Sequence, residues 1–287
     1  MKSLKNCLDR AKYEKIAIGH FNISNVEALW AIFDAARELK QPVIIGVSEG
    51  ERNFIGVRQA VSLVQSIANE YDYPIFINAD HTHDFTGIEK AVNAGFDSVM
   101  IDGSKLPFDQ NVELTKKCVD YVKKVESEEG RNILVEAEHG YIGSSSTLLN
   151  EVPEGANDDK THPDVAKKFA EETGIDLFAP SVGNIHGIVK GGNPYLDIDL
   201  IKSLSEVLDC HLVLHGGSGI SDLEISQGIK AGIRIVHVNT EIRKAFRDGL
   251  EESLKENDSV TPYKYMDKVR KNVYDVVYKK IKLFANL

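Results

Sequence analysis

Cysteine is scarce in this chain. Cys7, Cys118 and Cys210 are odd in number, far apart and form no CxxC pair. That pattern excludes a disulfide framework and a cysteine-rich zinc site, and a reducing, cytoplasmic compartment is expected. Long apolar runs are missing as well. No stretch approaches the roughly 18 uncharged apolar residues of a membrane span, and the opening MKSLKNCLDRAK breaks every apolar run with a charge, unlike a signal peptide. Basic residues are the minority, 34 Lys and Arg against 44 Asp and Glu, for a formal net charge of −10. This balance argues against a nucleic-acid or anionic-membrane surface, while leaving room for a local pocket that holds a small anion. No linker, repeat array or low-complexity tract divides the chain.

What is present reads as one globular unit. A chain of 287 residues fits one or two domains, and (β/α) barrels fill that length as one. Its 42% hydrophobic and 27% charged residues are ordinary for a globular protein. Eight short apolar runs recur: Ile16–Phe21, Pro42–Val47, Pro74–Ala79, Ser98–Ile101, Ile133–Glu138, Leu177–Val182, Leu212–His215 and Ile233–Val238. Their near-continuous apolar character suits parallel strands covered on both faces. Helix punctuation lies between them. Ser24 with Glu27 and Ser221 with Glu224 read as capping boxes, Pro163 as a first-turn proline and Gly174 as a C-terminal cap. Eight strand–helix alternations predict an α/β fold, a single-domain (β/α)8 TIM barrel over residues 1–287 with a C-terminal helical tail from about 262 to 287. A doubly wound open sheet is the structural rival, but it rarely needs eight such even units.

The histidines point to chemistry. Seven of nine (His20, His81, His83, His139, His186, His215 and His237) fall in the last residues of a proposed strand or just beyond it. In a (β/α)8 barrel that end carries the active site. Imidazoles converging from different strands suit Zn²⁺, which in catalytic sites takes three protein ligands and leaves one position open. Co²⁺ and Fe²⁺ suit the same donors. The stretch LHGGSGIS adds glycines through which backbone N–H groups can approach an anion, and the helix after Ser221 is expected to add its positive end. Asn239 and Thr240 arrive at the same rim. The long polar insertion Tyr141 to Thr161 has the length of a lid or binding loop.

The segments NADH, SVMIDGS, EAEHGYIG, VGNIHG, LHGGSGI and VNTEIR, in this order and spacing, resemble the zinc-dependent class II fructose-bisphosphate and tagatose-bisphosphate aldolases. The resemblance runs from about Phe21 through Arg243. It implies a zinc held by His81, His186 and His215, with Asp80 as general acid/base and Asp102 and Glu138 as alternate-position ligands. It further implies that Gly187, Gly216, Gly217, Ser218, His237, Asn239 and Thr240 bind the dihydroxyacetone-phosphate half and that Ser48 faces the aldehyde half. A small phosphorylated sugar as substrate and a homodimer or higher homo-oligomer follow from the same resemblance.

Three departures from the family pattern stand out. Ile235 replaces a lysine and His237 an asparagine on the last strand, and His20 stands where a small residue is usual, so that His20 and His237 are expected to face each other. After the fifth strand, Gly143-Ser144-Ser145-Ser146-Thr147 replaces a stretch whose glutamate handles a proton, leaving Glu151, Glu154 or Tyr141 as substitutes. The competing functions are a tagatose-bisphosphate or other ketose-phosphate aldolase, a barrel that binds a sugar phosphate without cleaving it, and a metal hydrolase suggested by the His81-Thr82-His83 pair.

Overall fold

The computed structural model describes residues 3–143, 146–155, 160–256 and 258–287. In chain order the strands are β1 (Ile18–Asn22), β2 (Val43–Val47), β3 (Ile75–Thr82), β4 (Ser98–Ile101), β5 (Leu134–His139), β6 (Leu148–Leu149), β7 (Leu177–Pro180), β8 (Ile188–Val189), β9 (His211–Leu214) and β10 (Ile233–Val238). Eight of them close a parallel barrel in the order β1-β10-β9-β7-β5-β4-β3-β2, and β6 pairs with β8 in a small separate ladder. The chain is a (β/α)8 barrel, and the eight apolar runs are its eight strands. The one large shift is in β3, which continues through Asp80 and His81 to Thr82. Its pairing with β4 slips between Ala79 and Thr82, and His81 has a left-handed φ of 39°. A non-glycine residue held there stores strain, which is the kind of backbone found at functional sites.

The helices are α1 (Leu4–Glu14), α2 (Val26–Leu39), α3 (Glu49–Ile55), α4 (Val57–Tyr71), α5 (Phe85–Ala94), α6 (Phe108–Glu129), α7 (Pro163–Thr173), α8 (Ile198–Val207), α9 (Asp222–Ala231), α10 (Thr240–Glu256) and α11 (Pro262–Phe284). Pro163 opens α7 and Gly174 closes it at φ 70°. Ser221 caps α9 through Glu224 N. The expected Ser24 cap of α2 is displaced by one residue: Asn25 Oδ1 accepts from Ala28 N at 2.8 Å, since Asn serves as well as Ser at this position. In α11 the inward stripe is Val269, Val273, Val277 and Ile281, while Tyr274 sits beside it and donates its hydroxyl to Glu38 of α2.

Two apolar layers hold the barrel. The outer one lies between strands and helices, and the inner one seals the N-terminal end. There Leu4, Cys7, Leu8 and Ala11 of α1 pack against Ile18, Ile44, Phe76, Leu134, Val213 and Ile235, which point inward from six strands. Helix α1 is therefore a plug at this end of the barrel.

Candidate active site

Side chains alternate between the two faces of a strand, so every second residue enters the barrel. Along that inward set the character changes from apolar to polar in steps of two residues. Ile18 gives way to His20 and Asn22, Phe76 to Asn78 and Asp80, Leu134 to Glu136 and Glu138, and Ile235 to His237 and Asn239. The polar steps bond across the barrel: His20 meets Asn78 at 3.4 Å, Asn78 donates to Ser98 at 2.7 Å, and Asn22 donates to Asp80 at 2.9 Å.

Four side chains converge at this polar end. His81, Glu138, His186 and His215 bring one ligand atom each to within 4.8 Å of one another. His81 sits on the bulged end of β3 and Glu138 near the end of β5. His215 follows β9, and the Asn184 amide donates to its carbonyl at 3.1 Å. His186 lies in the loop after β7 and is held by its own N–H to Ile142 O at 2.8 Å. The Nε2 of His186, the Nδ1 of His215 and Oε2 of Glu138 are buried without a hydrogen-bond partner. Such atoms are costly unless something pairs with them, and three imidazoles with a carboxylate are donors that a divalent transition metal takes. The donor set fits a metal ion.

The surroundings fix the ligand tautomers. His215 Nε2 lies 2.7 Å from the buried Glu136 carboxylate, which leaves Nδ1 as its free donor. His81 Nδ1 lies 2.8 Å from Asp102, which leaves Nε2. Carboxylate–histidine pairs of this kind orient metal ligands. Burial pushes His215 down to about 3 and His186 well below its usual value, with the neighbouring His81 adding to both, so both rings are neutral and able to bind metal. For His81 burial acts downward, but Asp80, Asp102 and Glu138 outweigh it and push it up to about 10. Burial, with Asp102 second, raises Glu138 well above the carboxylate range.

Asp80 is buried beside this cluster. Burial pushes its carboxyl upward, but His81, then His237 and His20, hold it well below its usual value. Asn22 Nδ2 holds Oδ2, and Oδ1 has no hydrogen-bond partner, although His237 Nδ1 stands 3.6 Å away. Asp80 is thus held as a carboxylate. His20 and His237 face each other as expected, with ring centroids 3.5 Å apart and planes within 3°. Gly46 makes this stack possible, because a Cβ there would sit 2.1 Å from His20 Cε1. Burial lowers both rings to about 4, so the stacked pair is neutral.

A cavity of about 330 Å³ opens above these groups. Ser48, Asp80, His81, Asp102, His186, Gly187, Gly216, Ser218, His237, Asn239 and Thr240 all line it. Gly217 does not line it, and its amide donates to the His237 carbonyl at 2.9 Å. Gly216 is needed where it is: its φ is 64°, and a Cβ would lie 2.0 Å from the Ile185 carbonyl oxygen. Two helices begin at the cavity, α10 at Thr240 and α3 at Glu49, whereas Ser221 of α9 is not in its lining. His139 is also elsewhere. It faces outward and stacks on Phe169 of α7 at 5.7 Å, as alternation along β5 requires. Glu151, Glu154 and Tyr141 are not in the lining; Tyr141 packs on the small Ile185–Val189 cluster. Ser144 and Ser145 lie outside the described residues.

Several lining residues were not singled out from sequence: Asn22, Glu49, Ser104, Lys105 and Arg243. Arg243 pairs with Glu51 at 2.8 Å and donates to Ser146 O at 3.2 Å, tying α10 to the loop after β5. Glu136 was missed too, although it occupies the same inward series as Glu138.

Comparison with known proteins agrees with this geometry. The YdjI aldolase of Escherichia coli K12 superposes with a TM-score of 0.83 at 32% identity, covering 98% of this chain and 96% of that one. A putative fructose-1,6-bisphosphate aldolase from Coccidioides immitis gives 0.83 at 25% identity, over 98% and 95% of the two chains. Fructose-bisphosphate aldolase from Campylobacter jejuni gives 0.80 at 22%, over 98% and 93%, which speaks to the fold alone. The family model for class-II fructose-bisphosphate aldolase matches residues 2–286. With a match over nearly its whole length, and a pocket of histidines and carboxylates at the open end of its barrel, the chain belongs to the class II fructose-bisphosphate aldolase family.

Proposed function

We propose that this aldolase reversibly cleaves a ketose phosphate to dihydroxyacetone phosphate and an aldehyde, with one Zn²⁺ per chain. Fructose 1,6-bisphosphate, yielding glyceraldehyde 3-phosphate, is the first substrate to test, and tagatose 1,6-bisphosphate the second. The observation that carries the reading is the convergence of His81, His186, His215 and Glu138, with buried donor atoms left unpartnered, beside an ionised Asp80.

His81, His186 and His215 would hold the ion, with Glu138 in reach as a fourth donor. Bound there, zinc supplies Lewis-acid stabilisation of the negative charge that develops as the carbon–carbon bond breaks, worth several kcal/mol. The remaining work falls to side chains. Asp80 Oδ1 is free to take the proton of the C4 hydroxyl, while Asn22 fixes Oδ2 so that the carboxylate presents one basic atom. Gly187, Gly216, Ser218, Asn239 and Thr240 line the opposite wall and would anchor the donor phosphate, which converts binding energy at the non-reacting end into alignment of the bond to be cleaved.

The test is hydrogen exchange on dihydroxyacetone phosphate in D₂O, followed by NMR, with zinc-loaded and chelator-treated protein. The expected result is stereospecific, zinc-dependent loss of one C3 hydrogen, which needs no assumption about the aldehyde. Absence of exchange in protein with bound zinc would overturn the reading and favour a barrel that binds a sugar phosphate without cleaving it.

A further inference from the structure

The proposed function names no residue that selects the aldehyde half of the substrate, and the rim opposite the phosphate wall bears on that selection. In the closed barrel β9 and β10 are neighbours, and so are β3 and β4. The strands β7 and β5 separate β9 from β4, and β1 and β2 separate β10 from β3. The loops after β3 and β4 therefore lie diametrically across the cavity from those that carry Ser218, Asn239 and Thr240. A ketose chain with its donor phosphate on that wall and its C4 hydroxyl at Asp80 would place its acceptor end on the side that Ser48, His83, Ser104 and Lys105 line.

The charges on that side are accounted for, with one exception. Glu49 Oε1 accepts the His83 N–H at 3.1 Å. Asp102 Oδ2 meets His81 at 2.8 Å, and its Oδ1 accepts both the N–H and the hydroxyl of Ser104. Arg243, the other cation in the lining, is paired with Glu51. Lys105 has no carboxylate partner among the described residues. It follows directly on the turn that Asp102 and Ser104 tie together, and Leu106 N closes that turn on Gly103 O at 2.9 Å. The backbone that presents Lys105 is thus fixed by the same aspartate that orients the ligand histidine.

We infer that Lys105 is a specificity-determining residue that receives an anionic terminus, phosphate or carboxylate, of the acceptor aldehyde. This rests on the proposed aldol reaction and adds to it a charge requirement at the far end of the substrate. An unpaired ammonium at the mouth of a cavity in an otherwise acidic protein attracts such a group selectively, while a neutral aldehyde gains nothing from it.

The experiment measures condensation of dihydroxyacetone phosphate with three aldehydes: glyceraldehyde 3-phosphate, succinic semialdehyde and glyceraldehyde. Wild type is compared with Lys105→Gln and Lys105→Arg as zinc-loaded full-length protein. Lys105→Gln is expected to lower kcat/KM about 10- to 100-fold for an anionic aldehyde, chiefly through KM, with glyceraldehyde changed less than about twofold. Lys105→Arg should restore the preference. A fall confined to glyceraldehyde 3-phosphate identifies phosphate as the recognised group, and one confined to succinic semialdehyde identifies carboxylate. Equal falls for all three aldehydes, or no fall for either anionic one, would overturn the assignment. Hydrogen exchange on dihydroxyacetone phosphate is read in the same samples. If it persists, the aldol reading stands and only the role of Lys105 is lost; if wild type itself shows none, both are lost.

Discussion

The two ends of this barrel use charged residues for opposite purposes. At the plugged end, side chains serve the backbone. Asp97 accepts from Ile77 N at 2.8 Å and Asp176 from Val135 N at 2.9 Å, while Arg131 donates to Val92 O and Phe96 O and Arg234 to Ile229 O. These contacts satisfy main-chain groups where strands begin and helices end, as buried backbone requires. At the open end the side chains are left wanting. Of the ten buried side-chain atoms without a partner among the described residues, eight belong to His20, Asp80, Glu136, Glu138, His186, His215, His237 and Asn239. A fold tolerates unpaired polar atoms where a ligand completes them, so stability is concentrated at one end and chemistry at the other.

That contrast predicts a separation of effects. His215→Ala removes a donor atom from the cluster and should lower kcat at least about 10³-fold, with metal content falling to background by elemental analysis. Substantial activity in this variant would dissolve the distinction between the ends. Leu8→Ala acts from the plug, where Leu8 is fully buried against the inward residues of the strands. It should cost about 2–5 kcal/mol in denaturant unfolding and leave kcat per folded molecule unchanged. A large loss of kcat in a folded Leu8→Ala protein would show that the plug transmits strain to the site.

How much of this was legible beforehand follows from the same contrast. The strands were readable because burial on both faces makes them continuous apolar runs, and the clustered histidines because strand ends collect them. His139 ends its strand as expected but faces away from the barrel, which parity decides and position along the strand does not. With Leu134, Glu136 and Glu138 pointing inward, residue 139 must face the helices, and the same arithmetic would have recovered Glu136. Lys105, Glu49 and Arg243 carry no such periodic mark. Their reach into the cavity depends on turns and helix starts, and on where the barrel closes, none of which alternation encodes. The stack of His20 on His237 was anticipated from two unusual residues on adjacent strands, but the role of Gly46 in admitting it was not.

The smallest expected effect tests whether the plugged end can lose a charge without consequence for catalysis. Burial raises Asp97 from its ordinary 3.8 to about 6, against the opposing pull of the Ile77 N–H and Arg131. A carboxyl whose pKa is raised by folding favours the native state fully below the unfolded value, and that advantage is lost as pH rises through the folded one. Wild type therefore forfeits this contribution between about pH 4 and 7, whereas Asp97→Asn has no proton to lose and its amide oxygen can still accept from Ile77. The stability of the variant relative to wild type should rise over that interval by about 1–2 kcal/mol, less than the full shift implies because Asp97 is partly exposed. Urea unfolding of both proteins at pH 4 and pH 7 reads this difference directly, since the other titrating groups are common to the pair. A difference independent of pH would mean that folding leaves the Asp97 pKa unshifted. An accompanying change in kcat would tie the strand starts to the open end and contradict the division of labour proposed for the barrel.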